Sequence, residues 1–412
     1  MKSALRRNLT GCALSLTVML AAAVSAQAAN DPCPPLIPPL DMQKIMTDPD
    51  LTDTERLKLL QNSGRDIREP ATWSGCHTVI DKIDIHAAVK IEPGTVLKFR
   101  ENAGLDINRG GSLDAKGTAD KPVVFTAEDE IKGYWYGLYF ESNSSKNRLI
   151  HSQISYAGGG QKGGSGRAMK RTIGDSAPPT RAVMIHEGAS VRIENTHIEH
   201  AKGYGIEALG TLQAFSHNQI DHTDIPARLQ PDDVGMIDAD STFSDNTKDQ
   251  IDIIGLGALN KDASWVNPGI PYVWHYNTTV AANLELQPGV EILMAPEASM
   301  SIDHNGSLKA IGTAKNPIVI HGVSSLSGSW DGIFIRSKSD KNVWKYVRIA
   351  DGGGGNYKAN IYDGGYLDIS NSRVENSRKI GILVNKNSGI DGRISITNVK
   401  YKDNEIDYKE EK

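Results

Sequence analysis

Ile91-Glu92-Pro93-Gly94-Thr95-Val96-Leu97-Lys98-Phe99 and Leu286-Gln287-Pro288-Gly289-Val290-Glu291-Ile292-Leu293-Met294 open two segments that pair without a gap at a constant offset of 195, Ile91 to Gly160 against Leu286 to Gly355. Gly111-Ser112-Leu113 meets Gly306-Ser307-Leu308, and Gly117-Thr118-Ala119 meets Gly312-Thr313-Ala314. Trp135 and Gly137 meet Trp330 and Gly332, and Gly158-Gly159-Gly160 meets Gly353-Gly354-Gly355. Beyond Gly160 the offset falls to 176, with Ile193-Glu194-Asn195-Thr196 facing Ile369-Ser370-Asn371-Ser372, so the first copy carries a net insertion of 19 residues. The chain is an internal duplication, and a period of this kind is the first thing a fold must accommodate.

Each copy is built from short apolar clusters. Val96–Phe99, Leu105–Ile107, Leu113–Ala115 and Val123–Phe125 lie about 8 to 10 residues apart, each bounded by Gly, Pro, Asn or Asp. A further spacing of 22 links Ile193 to Phe215 and Ile198 to Ile220. Three short strands per turn of that length predict stacked coils whose inward faces are buried only by their neighbours. With 6% aromatic residues and 40 glycines, the chain suits thin coils better than a sandwich. The predicted fold is all-β, a right-handed parallel β-helix. Asn195 and Asn218 fall at this period and are candidates for a ladder inside a turn, or for plain turn residues. Asn218-Gln219-Ile220-Asp221 also resembles Asn404-Glu405-Ile406-Asp407 near the end.

Four regions follow. Residues 1–28 read as a signal peptide: Lys2, Arg6 and Arg7 precede an apolar run from Cys12 to Val24 and the small-residue pattern Ala26-Gln27-Ala28. Leu9-Thr10-Gly11-Cys12 precedes the apolar run rather than following it, which disfavours a lipid anchor. Residues 29–70 form an N-terminal helical cap, with Thr52-Asp53-Thr54-Glu55 as a capping box before Arg56-Leu57-Lys58-Leu59-Leu60. Residues 71–270 are copy 1, with an insertion at 161–181, and residues 271–412 are copy 2. The final Lys409-Glu410-Glu411-Lys412 would blunt an edge by charge.

The leader places the mature chain outside the cytoplasm, in the periplasm or secreted, with no transmembrane span expected. Removing it leaves 42 Lys+Arg against 50 Asp+Glu, a formal −8. That balance argues against nucleic acid as a partner. Of the cysteines only Cys33 and Cys76 remain, and in an oxidising compartment they are expected to be bridged.

Ala71-Thr72-Trp73, Ile91–Phe99, Gly117–Pro122 and Gly133-Tyr134-Trp135-Tyr136-Gly137, with Ala263-Ser264-Trp265 and Gly269–Val273, resemble bacterial secreted proteins with right-handed parallel β-helix repeats of the pectate-lyase-like superfamily. The resemblance spans about residues 71 to 407. It implies the fold, and chemistry has to be argued from sites. Enzymes on such a fold mostly cleave acidic polysaccharides. The hydrolase pattern they carry is absent: there is no Gly-His-Gly, Arg192-Ile193 runs into Glu194, and Asp232-Asp233 stands alone and reads as an exposed loop pair. No compact aspartate cluster recurs at the coil period, which weakens a calcium-assisted lyase.

His197, His200, His217 and His222 form the densest histidine group, but copy 2 has Arg373 and Asn376 at the first two positions, so the group reads as surface rather than scaffold. No metal site and no cofactor is expected. The insertion carries Lys162, Arg167, Lys170, Arg171 and Arg181 with one acid, Asp175, and with Tyr134 and Tyr136 it supplies the candidate ligand-binding residues. Both tyrosines differ from their counterparts Ser329 and Asp331, whereas Trp135 repeats as Trp330 and should pack internally. These features predict a non-catalytic, extracytoplasmic module binding acidic polysaccharide or another envelope component. The alternative is a polysaccharide lyase or glycoside hydrolase whose residues converge only in three dimensions. Oligomeric state is not readable from the chain.

Overall fold

A computed structural model describes residues 33–37, 42–56, 65–160, 180–254, 257–386 and 393–411. They form an all-β parallel β-solenoid of about 13 turns. One face runs the whole length as a 14-stranded parallel sheet, from Asp66–Ile67 to Lys400–Lys402. The other two faces are each broken between the copies. The first copy has sheets running from Ala71–Trp73 to Thr211–Ser216 and from Cys76–Val79 to Thr242–Ser244. The second has sheets running from Ala258–Leu259 to Ile406–Glu411 and from Ala263–Trp265 to Arg393–Thr397.

Alternation sets the core. In Val96–Phe99, Leu97 and Phe99 point inward and are fully buried; in Gly104–Ile107, Leu105 and Ile107 do the same. Stacking in register places Leu97 on Phe125 and Leu105 on Leu138, and the inward residues merge into one continuous core. Trp135 and Trp330 are both fully buried, as their repetition predicts, and their indole N–H groups donate to Ser155 O (2.7 Å) and Ala350 O (2.8 Å).

The duplication extends to single hydrogen bonds. Ser142 Oγ donates to Gly111 O, and Ser337 Oγ to Gly306 O, both at 2.5 Å. Leu113 N–H donates to Asn147 Oδ1 (3.1 Å), and Leu308 N–H to Asn342 Oδ1 (2.8 Å). Gly137 and Gly332 adopt φ of 124° and 121°. A Cβ there would sit 2.6 and 2.4 Å from the carbonyls of Ala182 and Ala359, so both positions require glycine.

The copies are nonetheless not in line. In copy 1, Gly104–Ile107 lies on the long face and Val123–Ala127 on the third face of the coil. Their counterparts exchange roles: Ile318–Gly322 lies on the long face, and Ser299–Ile302 belongs to the sheet that begins at Ala258–Leu259. The second copy is therefore turned by one face of the three-faced coil. The switch occurs at Ile251–Ile253, which pairs with Ile225–Leu229 on one side and Tyr272–Trp274 on the other. Just before it, a short helix, α2 (Pro231–Val234), takes the place in chain order of a second-face strand and packs on Ala258–Leu259 and Ala263–Trp265. Ala263–Trp265, counterpart of Ala71–Trp73, already belongs to the faces of the second copy.

At the N-terminal end Cys33 and Cys76 are disulfide-bonded, a closure worth roughly 4 kcal/mol by chain entropy. Residues 34–36 add to the first coil's open edge: Thr78 N–H donates to Pro34 O and Leu36 N–H to Thr78 O. The capping box is made as predicted. Glu55 N–H donates to Thr52 Oγ1 (3.3 Å) and Thr52 N–H to Glu55 Oε2 (2.8 Å), while a separate helix, α1 (Met42–Thr47), precedes it. Leu57–Leu60 lie outside the described residues. At the other end the charged tail is itself a strand, Ile406–Glu411, whose Lys409, Glu410 and Glu411 are exposed on the last edge.

Two expectations need correction. Asn404–Asp407 is not the positional equivalent of Asn218–Asp221, because Gln219–Asp221 pairs on the third face and Ile406–Glu411 on the sheet beginning at Ala258–Leu259. Nor do Asn195 and Asn218 form one ladder. Asn195 is an exposed turn residue at φ 50°, whereas Asn218 is buried, accepts from Thr196 N–H (3.0 Å) and donates to Ile193 O (3.0 Å). The ladder position is occupied by Thr196 and Asn218, one residue further on.

Candidate functional site

Because the coils stack in register, outward side chains of the long face form a single row. Through copy 1 that row reads Asp66, Asp84, Asp106, Tyr139, Met184, Glu207, Arg228 and Asp252. Adjacent members lie about 4.8 Å apart along the solenoid. The copy-2 counterparts of Asp106, Tyr139, Met184 and Glu207 are Ser301, Phe334, Tyr362 and Leu383. The scaffold therefore accepts polar, aromatic or aliphatic side chains there, and the charges of copy 1 are its own.

The first part of the row is a half-exposed carboxylate ladder. Lys82 Nζ lies 2.6 Å from Asp106 Oδ2 and 3.7 Å from Asp84 Oδ1, and Asn108 Nδ2 donates to Asp84 Oδ1 (3.1 Å). Partial burial opposes the Lys82 charge, but Asp106 and Asp84 outweigh it and hold the ammonium above its ordinary pKa. Burial raises the Asp106 carboxyl, with Lys82 offsetting part of the shift. The sequence shows no aspartate cluster at a fixed coil period, and stacking nevertheless aligns Asp66, Asp84 and Asp106. They are 18 and 22 residues apart, and unequal coil lengths hide them from a fixed period.

The next part is an aromatic pair. Tyr136 and Tyr139 stack at 3.9 Å with rings 10° apart, packed with Met184 and Leu209. Tyr136 is buried, so it offers no open ring face, while Tyr134 is half-buried against the core. Lys162, Arg167, Lys170 and Arg171 lie outside the described residues. Arg181, read from sequence as the last cation of the insertion, instead opens the strand Arg181–Ile185.

From Arg181 a buried polar chain crosses the outer surface. Arg181 Nη2 is 2.5 Å from Glu207 Oε2, and Arg228 Nη1 donates to Glu207 Oε1 (3.2 Å). Arg228 lies over the Tyr204 ring, whose hydroxyl donates to Asp252 Oδ2 (2.8 Å); His275 Nε2 sits 3.0 Å from Asp252 Oδ1. Burial opposes the Asp252 charge, but His275, Tyr204 and Gln250 more than compensate and depress its pKa. Burial also lowers the pKa of His186, which flanks the row. Sequence reasoning found none of Tyr139, Glu207, Arg228 or Asp252. Their spacings of 21 to 24 in the later coils were the available signal, hidden by the insertion before Arg181.

The histidine group belongs to another part of the coil. His200, His217 and His222 have φ of 51°, 53° and 52°, matching Asn376, Asn398 and Asp403 in copy 2 at 49°, 53° and 55°. Their backbone positions are thus part of the scaffold after all, at turns that favour Asn, Asp and His. His197 and His222 are joined through Asp221, whose two oxygens lie 2.8 Å from His197 Nε2 and His222 Nδ1.

Asp232-Asp233 is likewise not an exposed loop pair. Asp232 Oδ1 accepts the N–H groups of Asn260 (2.7 Å) and Lys261 (3.1 Å), tying the junction together. Asp233 is buried, and burial raises its pKa to about 6; Asp363, also buried, is raised to about 6, with Oδ2 unpartnered. Unfolded aspartates ionise near pH ~4, so between about 4 and 6 the unfolded chain releases protons that the fold retains. The stabilisation from these neutral carboxyls is complete below about pH 4 and is lost as pH rises through about 6. Asp363→Asn, which mimics the neutral acid, is expected to gain up to about 2–3 kcal/mol relative to wild type between pH 4 and pH 7.5. Urea unfolding at the two pH values checks this; an unchanged difference would show that Asp363 ionises normally.

No family model matches the chain, and no curated protein or solved structure matches it. Among the described residues no helix is long and apolar enough to cross a membrane.

Proposed function

We propose that the chain is a non-catalytic, extracytoplasmic solenoid of the secreted bacterial β-helix kind, which binds a glycan or another envelope component along the long face of its first copy. The observation that carries this reading is the in-register row from Asp66 to Asp252, in which the charged Asp106 and Glu207 of copy 1 have uncharged counterparts in copy 2, Ser301 and Leu383. Carboxylates at successive coils supply repeated hydroxyl acceptors for an extended polar chain. An acidic polysaccharide would need Ca²⁺ at those carboxylates, or the cations of the 161–181 insertion, to offset repulsion.

A specific observation favours a second reading, a polysaccharide lyase or hydrolase: Lys82 stands beside Asp84 and Asp106 on one face. The charge state of the site supports binding over lyase chemistry, since the raised Lys82 keeps its proton and a lyase base must be able to accept one.

The test is to present the chain with acidic and neutral polysaccharides, with and without Ca²⁺, measuring binding together with new unsaturated and reducing ends. Binding without new ends, weakened at least about tenfold in Asp84→Asn/Asp106→Asn, is expected, the loss of about 1.4 kcal/mol that one or two charge-assisted hydrogen bonds represent. New ends would establish the enzyme instead. Binding to none of the glycans would remove the glycan reading.

A further inference from the structure

On the third face of copy 1, outside the row described above, three metal-type side chains converge from two adjacent coils. Ligand atoms of His197, Glu199 and Asp221 all lie within 4.8 Å of one another. His222 Nδ1 is 2.8 Å from the same Asp221 carboxylate, and His200 stacks between Tyr156 (5.2 Å) and His222 (4.8 Å). Gln219 Nε2 donates to Asp221 Oδ2 (2.6 Å), an outer partner of the kind that orients a ligating carboxylate. His197 comes from the strand His197–Glu199 and Asp221 from Gln219–Asp221, paired in register, so the scaffold fixes the spacing.

The duplication supplies an internal comparison. At the equivalent place copy 2 has Glu375, the counterpart of Glu199, and neutralises it with two permanent cations: Arg348 Nε at 2.9 Å and Arg373 Nε at 3.2 Å. Copy 1 has Gln153 and His197 where those arginines stand, and adds Asp221 where copy 2 has Lys402. Carboxylate charge has increased while fixed positive charge has been removed, and imidazoles have been put in its place. Neutral imidazoles with carboxylates are the donor set of a borderline divalent metal. Bonds of about 2.0–2.2 Å around a tetrahedral ion set ligand atoms roughly 3.3–3.6 Å apart, so the three ligand atoms, within 4.8 Å of one another, close on an ion by side-chain rotation alone.

We propose that His197, Glu199 and Asp221 bind one divalent transition-metal ion of the zinc class between two coils of the first copy. In the bound form the metal replaces the His197 contact to Asp221, and His222 and Gln219 continue to orient that carboxylate.

The experiment titrates the chelator-treated full chain with Zn²⁺ by calorimetry and with Co²⁺ by visible absorbance. One equivalent of saturable micromolar binding is expected, with Co²⁺ bands of a nitrogen–oxygen site. His197→Ala and Glu199→Gln should each weaken it at least about tenfold. His217→Ala serves as the control, because His217 lies with Asp238 and Asp240 in a separate, more exposed group. Asp221→Asn should abolish binding; should it fail to fold, the His197 and Glu199 variants carry the test. The proposal is overturned by absence of saturable binding, by binding unchanged in both of those variants, or by binding lost in His217→Ala instead.

Discussion

Glu207→Ala is expected to lower stability by about 3–5 kcal/mol, the cost of leaving buried charge without its partner. Glu207 is 2% exposed, and the two guanidinium groups that meet it, Arg181 and Arg228, are 5% and 8% exposed. Removing the carboxylate strands both cations where water cannot screen them. Replacing all three residues by apolar ones of similar volume should restore most of the loss, since the remaining desolvation penalty disappears with the charges. Copy 2 shows that the backbone permits an apolar residue at two of the three positions, with Ala359 and Leu383 as the counterparts of Arg181 and Glu207. Chemical unfolding of wild type, Glu207→Ala and the triple apolar variant decides the matter. A loss under about 1 kcal/mol in the single variant would mean that the arginines find solvent or other partners.

Trp135→Ala and Trp330→Ala are each expected to cost about 3–5 kcal/mol through the cavity left behind. Trp135 fills the coil beside Phe99, with ring centroids 4.0 Å apart, and each indole N–H satisfies a buried carbonyl. Full burial and matching indole bonds predict similar losses in two places far apart along the solenoid. Because each coil touches only its neighbours, each variant should weaken hydrogen-exchange protection most in the coils next to it. A uniform loss of protection along the chain would show instead that the two copies unfold as one unit.

The site was less legible than the fold for a reason visible in its residues. Asp66, Asp84 and Asp106 follow coils of 18 and 22 residues, and Tyr139 comes a further 33 later, so no single period aligns them. Two adjacent acids read as exposed because they usually are; Asp233 is instead on the buried side of the short helix Pro231–Val234 that stands in place of a second-face strand. Tyr136 reads as a ligand-binding candidate because copy 2 has Asp331 there, and it is Tyr139, three residues on, that covers its ring. Arg181 was counted with the insertion because its ion partner, Glu207, lies a coil away.

The duplication, the short strands, the paired cysteines and the capping box all follow from local pattern. Strand periodicity, turn residues and a gapless offset of 195 are properties of neighbouring residues and survive in one dimension. The rotation of one copy against the other, the carboxylate row on the long face and the meeting of His197 with Asp221 were decided only by stacking. Coil length sets which residues become neighbours across coils, and small insertions change it without disturbing any local pattern. The contacts between successive coils, where the charges of copy 1 meet, therefore exist only once the coils are stacked.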